Sequence, residues 1–595
     1  MSSKRPFSRL SVIALAFILA VVALAAPAQQ AKAVDADTFY LSWPYEVPPK
    51  SNFNAFSPDT LGNGGFGQWS ALLEPTFAYY IWEKQEWRGW LAKSFGYSAD
   101  GKKYTITLRN DLTWSDGAKV TSKDVVTTYN LVRVAGGNGE FGQGVASVKA
   151  VDDYTIDFNL DKPPSLILQR LILKELVVSN ATYGALGDKA GKLLVDGAGK
   201  TFAEISATDA WKAIQKEVED FRPTQIISSG PYTLDMKDVQ TSQLVMRRTD
   251  KTPFGKLAKF DKIVVYNGDT DVTTPLILNG ELYYATDYFP PDTEKSFTDK
   301  GIKILRAPAF TGPGLLINHA VKPLDNVLVR QAMAYAIDRA VATKVAYGDI
   351  GKPVKYMTDL SDSLLPNYLD AATISSFNTY ENDLKKAADL MTQAGYKKSG
   401  DAWVDSSGKP LELELSAPSD FTDWMPAASN ITEQLTAFGI KITLRAILNS
   451  QHAPEIREGK FQLAIRSWGY PNPLPYYSYN RTLLQSSVGG TIKGGTGYAP
   501  KQTIGGKDYD FTALVSAAGA GTDPTPQKDA VKTLATVFNS QLFMIPLIER
   551  FYNCPLNTTN LSGLPPDSDP LWGNVSGSDN AIVVLLMEGT IGPKK

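Results

Sequence analysis

The chain has 595 residues, 43% hydrophobic and 21% charged, which are globular values, and about 560 residues after a leader call for two or three domains. Sixty basic residues against 62 acidic ones give a net charge of −2, which argues against nucleic acid or anionic lipid as a partner. A single cysteine, Cys554, excludes an intramolecular disulfide, and only two histidines are available for acid–base chemistry.

At the N-terminus, Lys4, Arg5 and Arg9 precede an apolar run from Leu10 to Ala26, and Ala31-Lys32-Ala33 is an A-x-A cleavage signal. Residues 1–33 are therefore expected to be a signal peptide, with the mature chain starting near Val34. No cysteine lies near the cut, so lipid attachment of the usual bacterial kind is not expected. Loss of the four positive charges in residues 1–33, which hold no acid, leaves a mature net charge of −6. No later stretch is apolar for long enough to span a bilayer. A secreted, periplasmic or cell-surface-associated product is expected.

Along the mature chain, strand-like and helix-like patterns alternate. Lys103–Arg109 and Thr155–Leu160 alternate polar and apolar residues, as half-buried strands do. Between them, Thr121–Val132 opens with capping residues and sets Val125, Tyr129 and Val132 on one helical face. Residues 186–224, rich in Ala, Lys and Gly, read as a surface excursion containing helix. Asp325 or Asn326 caps a helix expected to run through Asp338, with Val329, Met333, Ala336 and Ile337 as its stripe. Leu384, Ala387, Ala388 and Met391 form another stripe, closed by Gly395. Asp423 caps a third helix, which tolerates Pro426 in its first turn and ends before Gly439. A strand from Ile440 to Ala446 follows, so the second half reads as α/β.

The segment Phe461–Asn480 is the most informative. An apolar run, Leu463 to Ile465, reads as the end of a buried strand. Three prolines and five aromatics follow, and proline removes donors and fixes φ, so an irregular loop is expected. Loops leaving strand ends are where open α/β sheets place ligands. Trp468, Tyr470, Tyr476, Tyr477 and Tyr479 either pack on their own domain or offer stacking faces.

Catalysis has little support. His319 ends a strand and His452 sits in a polar loop, and neither neighbours a nucleophile signature. Two histidines and one cysteine do not build a usual zinc site. Asp269-Thr270-Asp271 reads as a solvated turn, with calcium binding as its alternative. No carboxylate pair stands out for glycoside hydrolysis. No enzyme activity, cofactor or metal is expected.

Five motifs in order carry a resemblance: Glu74–Phe77 with Trp90–Ser94, Tyr104–Gly117, Thr121–Val125, Ser229–Tyr232 and Arg330–Asp338. Together they resemble the family 5 solute-binding proteins of ABC transporters, receptors for oligopeptides, nickel complexes and some oligosaccharides. The resemblance implies an α/β, bilobed periplasmic-binding-protein-like fold of the large type II cluster, with an extra domain and the ligand between two lobes. It implies a discontinuous first domain (34–68, 222–308 and 547–595), a second at 69–221 and a second lobe at 309–546. Crossovers are expected near Ala307–Gly314 and Met544–Arg550, with closure by hinge motion. Permease subunits of an ABC importer and a small-molecule solute are the implied partners, and a monomer is expected.

Peptide-binding members commonly carry an A-D-Y-x-D-P loop whose aspartate pairs with the peptide's α-amino group. In the matching stretch Trp468–Pro473, Gly469 replaces that aspartate and Asn472 the second acid. A buried ammonium without its carboxylate is costly, so a zwitterionic peptide loses its anchor. Trp468 instead supplies a flat face for a sugar ring, while Tyr470 and Asn472 suit hydroxyls. Ser416–Pro426 also looks closer to the oligosaccharide branch, with Trp424 at a helix N-terminus facing the cleft or in the core. Trp69, Trp82, Tyr288 and Trp43 are the further stacking candidates. An oligosaccharide is the expected solute, with an oligopeptide as the alternative.

Overall fold

The computed structural model describes residues 35–44, 52–57, 67–135, 144–421, 423–486, 495–522 and 524–594. The expected signal peptide and Val34 lie outside the described residues. Among those described, no helix is long and apolar enough to cross a membrane.

Two sheets share one hydrophobic core in the first lobe. The strands run in the order Thr38–Trp43, Lys262–Asn267, Gln243–Arg248, Tyr232–Thr233, with the first pair parallel at Tyr40 opposite Val264. The second sheet is antiparallel, in the order Ala92–Tyr97, Lys103–Leu108, Thr155–Leu160, Val145–Ala150. The alternation read at Lys103 sends Tyr104, Ile106 and Leu108 inward, and the helix Ser122–Ala135 lays Val125 and Tyr129 on the same core. Every residue of the C-terminal helix Ala581–Met587 is buried, which explains its unbroken apolar sequence. Residues 180–220 form helices around a small core of their own that includes Tyr183, Trp211 and Val218.

The second lobe is built on a five-stranded sheet in the order Lys441–Ile447, Glu412–Pro418, Leu463–Gly469, Thr311–Ile317, Met544–Pro546. The first three strands are mutually parallel and the others antiparallel to their neighbours. Asn326 caps Val327–Ala336 through Leu328 N. That helix stops short of Asp338, which instead caps Arg339–Tyr347 by accepting from Ala340 N and Val341 N. Trp424–Phe438 ends at Gly439 in the left-handed region, φ +107°, as a glycine stop predicts.

Two neighbouring strands join the lobes. Lys303–Pro308 pairs antiparallel with Ile548–Leu556, which also pairs with Gly351–Pro353 of the second lobe. A second contact closes the far side. Leu166 N donates to Gly519 O at 3.0 Å, Gly521 N to Pro164 O at 2.6 Å, and Ser165 Oγ to Gly519 O at 3.0 Å. A Cβ on Gly519 would stand 2.7 Å from Ile167 of the first lobe and 3.1 Å from Tyr476 of the second, so glycine permits this approach.

The proline-rich segment departs from its expectation. The strand begun at Leu463 continues to Gly469, opposite Thr311, so Trp468 is a strand residue. The chain then forms a short helix, Pro475–Tyr479, followed by a π-helical turn, Asn480–Gln485. Proline fits the first helical position because its missing N–H has no partner there anyway.

Candidate functional site

The interlobe cleft is lined on the first lobe by a hairpin, Ala78–Ile81 with Glu86–Gly89. Its ends present Tyr80, Trp82 and Trp87, with Tyr80 and Trp87 ring centroids 4.9 Å apart. Phe310 and Leu364 of the second lobe pack with Tyr80 and Trp82 in one buried cluster, and Trp82 meets Phe310 at 5.9 Å. Asp579 fixes this wall from behind. It accepts from Tyr80 N at 2.9 Å, Trp82 Nε1 at 3.4 Å, Lys174 Nζ at 2.7 Å and Arg170 Nη2 at 3.4 Å. Burial opposes its ionisation, but the Lys174 and Arg170 charges outweigh that and hold its carboxyl below the usual range.

On the second lobe, three parallel strands end side by side, the place where open α/β sheets set their ligands. Glu412–Pro418 leads to Asp420, Phe421, Asp423 and Trp424, Lys441–Ile447 leads to Asn449, and Leu463–Gly469 leads to Tyr470. Tyr470 stacks on Tyr477 at 5.3 Å and carries the Arg481 guanidinium over its ring at 4.5 Å.

Gly469 is required by two constraints. Its φ is +59°, and a Cβ there would stand 2.5 Å from Phe310 O. Its N–H donates to Asp359 Oδ1 at 3.0 Å. Asp359 is fully buried, and that burial pushes its pKa up to about 7. Gly469→Asp is therefore expected to cost about 1–3 kcal/mol of stability without creating tripeptide binding. Denaturant unfolding and titration calorimetry check both halves.

The expected site residues separate into two groups. Trp82 packs against Phe310 of the second lobe, Tyr470 and Tyr288 are half-buried, and Trp424 is a buried member of the second-lobe core. Tyr288 stacks on Tyr552 at 5.7 Å and lies beneath the Arg550 guanidinium, 4.2 Å from the ring centroid. Trp424 packs edge-on to Phe421 at 4.9 Å, and its buried indole N–H has no acceptor. The others sit inside their lobes. Trp468 is fully buried in the second-lobe core, with Nε1 donating to Ile548 O at 2.8 Å. Trp69 is equally buried, donating to Ser42 O at 3.0 Å, and Asn472 is buried with its side chain accepting from Leu474 N at 2.9 Å. Trp43 is half-buried against Gly67, where a Cβ would stand 2.2 Å from the indole.

His452 is corrected from a loop residue to a buried one on the helix Asn449–Arg457. It faces Ser416 Oγ at 3.1 Å, but its Nδ1 has no partner, and burial holds its pKa down at about 4. A base oriented by a carboxylate is thus missing from this pair. His319 contacts Phe543 O at 3.0 Å and is held at about 3 by burial. Asp269 accepts from Thr270 N and Asp271 from Val272 N, so both carboxylates serve a helix start. No acid or histidine cluster suited to a metal occurs among the described residues.

The sequence reading missed Tyr80, Trp87, Phe310, Asp579 and Arg550. Tyr80 and Trp87 carried a usable signal, because a hairpin with aromatics at its ends seldom leaves them unpartnered.

Residues 86–490 match the bacterial extracellular solute-binding proteins, family 5 (middle region). The dipeptide-binding protein of Escherichia coli K12 is 24% identical over 412 residues, covering 65% of this chain and 68% of that protein. The glutathione-binding protein GsiB of Shigella flexneri is 26% identical over 383 residues, covering 62% of this chain and 63% of its own length. Among solved structures, the periplasmic oligopeptide-binding protein of an oligopeptide ABC transporter from Thermotoga maritima superposes with a TM-score of 0.74 at 20% identity, covering 94% of this chain and 99% of that one. The same protein bound to mannohexaose gives 0.67 at 20% identity over the same shares of both chains. NikA of Brucella suis, in complex with Fe(III)-EDTA, gives 0.69 at 20% identity, covering 94% and 100%. With the match extending over more than half its length, the chain belongs to the family 5 bacterial extracellular solute-binding proteins.

Proposed function

We propose that this protein is the extracytoplasmic receptor of an ABC importer, and that its solute is an oligosaccharide held between the lobes. Gly469 is the observation that carries the choice of solute. No carboxylate fits at the position from which peptide-binding relatives anchor an α-ammonium, because Phe310 O occupies the space a Cβ needs. Half-buried Trp87, Tyr470 and Tyr288 offer faces for sugar rings, while Tyr80, Trp82 and Trp424 are buried. Affinity would come from stacking in a closed, dry cleft with hydroxyls satisfied singly. Trp468, Trp69, Trp43 and Asn472 would support this surface from within their lobes.

A peptide is the second reading, favoured by Asp359. Its carboxylate lies directly under Gly469 N, and its Oδ2 is buried without a partner. The named functions of the Escherichia coli and Shigella flexneri relatives point the same way.

A thermal-shift screen of β-glucan, xylan, mannan and pectin fragments against di- to pentapeptides separates the two. At a hundred times its Kd, a bound solute stabilises by about 2.7 kcal/mol. Stabilisation by an oligosaccharide and by no peptide is the expected result. Tight peptide binding abolished by N-terminal acetylation would overturn it and assign the anchor to Asp359.

A further inference from the structure

Arg550 lies on the strand that returns the chain from the second lobe to the first. Tyr288 covers one face of its guanidinium at 4.2 Å. A guanidinium carries five N–H donors, and buried donors are nearly always spent on acceptors. Here Nε is buried without a partner, and among the described residues the group donates no hydrogen bond. Its one ion pair is a loose 3.9 Å contact with Asp423 Oδ2, an atom that already accepts from Tyr347 OH at 2.5 Å. The arrangement is therefore a planar donor fork lying over a ring, with the side chain 20% exposed and its hydrogen bonds unmade.

Burial opposes the Arg550 charge, but Tyr288, Tyr347 and Asp423 outweigh it and raise its proton affinity, and two further arginines stand nearby. Arg481 donates to Gly469 O at 3.0 Å and Arg466 to Asn449 Oδ1 at 3.3 Å, neither facing a carboxylate in an ion pair. Burial lowers the proton affinity of both; at Arg481 Tyr470 and Asp359 oppose this, while a neighbouring arginine adds to it in each case, Arg550 for Arg481 and Arg481 for Arg466. Burial pushes two carboxyls of this region, Asp359 and Asp287, up to about 7, which weakens their counter-charge. A largely desolvated Arg550 guanidinium with unspent donors calls for an incoming anion.

We propose that the solute presents a carboxylate that seats on the Arg550 fork, between Tyr288 and the Asp423–Tyr347 pair. This rests on the interlobe solute site described above and adds an acidic group to what it takes. A uronic acid on a sugar chain and the terminal carboxylate of a peptide share that chemistry. Planarity favours a carboxylate here, because two parallel N–H···O bonds lie in the plane of the stacked guanidinium.

Calorimetry with the full mature chain tests this using two matched pairs: trigalacturonate against its methyl ester, and trialanine against trialanine amide. One carboxylated probe is expected to bind about 10- to 100-fold tighter than its neutral counterpart, the range of a charged hydrogen-bonded pair. Arg550→Gln should erase that preference, and Arg550→Lys should keep part of it. Asp423→Asn removes the competing carboxylate and should tighten the acidic probe several-fold, whereas a purely structural Arg550–Asp423 pair predicts weaker binding of every probe. Equal binding within both pairs, no binding of either acidic probe, or a preference that survives Arg550→Gln overturns the proposal. A preference seen only with trialanine keeps the carboxylate seat and overturns the oligosaccharide reading. Trigalacturonate and its methyl ester binding equally tightly, with neither trialanine probe bound, does the reverse.

Discussion

Trp468→Ala is expected to lower the stability of the protein by about 3–5 kcal/mol, the cost of deleting a large aromatic from a packed core. Three contacts fix the ring and its strand. The indole N–H donates to Ile548 O at 2.8 Å, Thr311 Oγ1 donates to the Trp468 carbonyl, and the absent side chain of Gly314 leaves its methylene room. Truncation leaves a cavity and an orphaned carbonyl on the strand that joins the lobes. Trp468→Phe keeps most of the volume but loses the hydrogen bond, and should cost less, about 1–3 kcal/mol. Urea unfolding measures both variants, and calorimetry on the folded fraction of each reports affinity. A loss of solute affinity with stability shifted by under about 1 kcal/mol would return this ring to the solute path.

How Trp468 was misplaced shows what the sequence could carry. The apolar run Leu463 to Ile465 reads as the end of a strand, yet the strand runs on to Gly469 because Thr311–Ile317 offers a full set of partners. Pairing with a segment about 150 residues away is a tertiary decision, and local polarity yields to it. Some local signals were legible, although Asp423, read as a helix cap, makes no side-chain cap hydrogen bond. Asn326 and Gly439 mark their helix ends in sequence and in structure, and the alternation at Tyr104, Ile106 and Leu108 gives the buried face.

The candidate site divides along the same line. Gly469 could be read because a missing aspartate in a motif is visible in the chain itself. Asp359, which takes the hydrogen bond of Gly469 N, is 110 residues away and lies in no motif. Tyr80 and Trp82 meet Phe310 across lobes that Lys303–Pro308 and Ile548–Leu556 join side by side. Side chains that face one another across a cleft obey neither helical nor strand periodicity, so no pattern announces them.

Asp579→Asn is expected to cost about 3–5 kcal/mol near neutral pH, because it strands buried positive charge. The Asp579 side chain is 2% exposed, and its partners Lys174 and Arg170 are 13% and 17% exposed. Burial already disfavours the ammonium of Lys174, whose pKa is lowered for that reason first, so loss of the opposing carboxylate leaves it with little compensation. The pH dependence has a definite sign. The folded-state pKa of Asp579 lies below its ordinary value, so its contribution is fully present above the unfolded pKa of about 4. It is lost as pH falls through the lower, folded value. Wild-type protein should therefore lose more stability than Asp579→Asn on acidification below about pH 4, and the gap between the two should narrow there. The binding consequence follows from the same carboxylate, which holds Tyr80 N and the Trp82 indole. Asparagine offers one carbonyl oxygen in place of two carboxylate oxygens, so the aromatic wall loses one of those contacts and solute affinity should fall even where the protein stays folded. Urea unfolding at pH 7 and between pH 3 and 5, with calorimetry at pH 7, checks each step. An Asn variant as stable as wild type at pH 7 would mean that Lys174 sheds its proton instead, and the charged pair behind the aromatic wall would have to be abandoned.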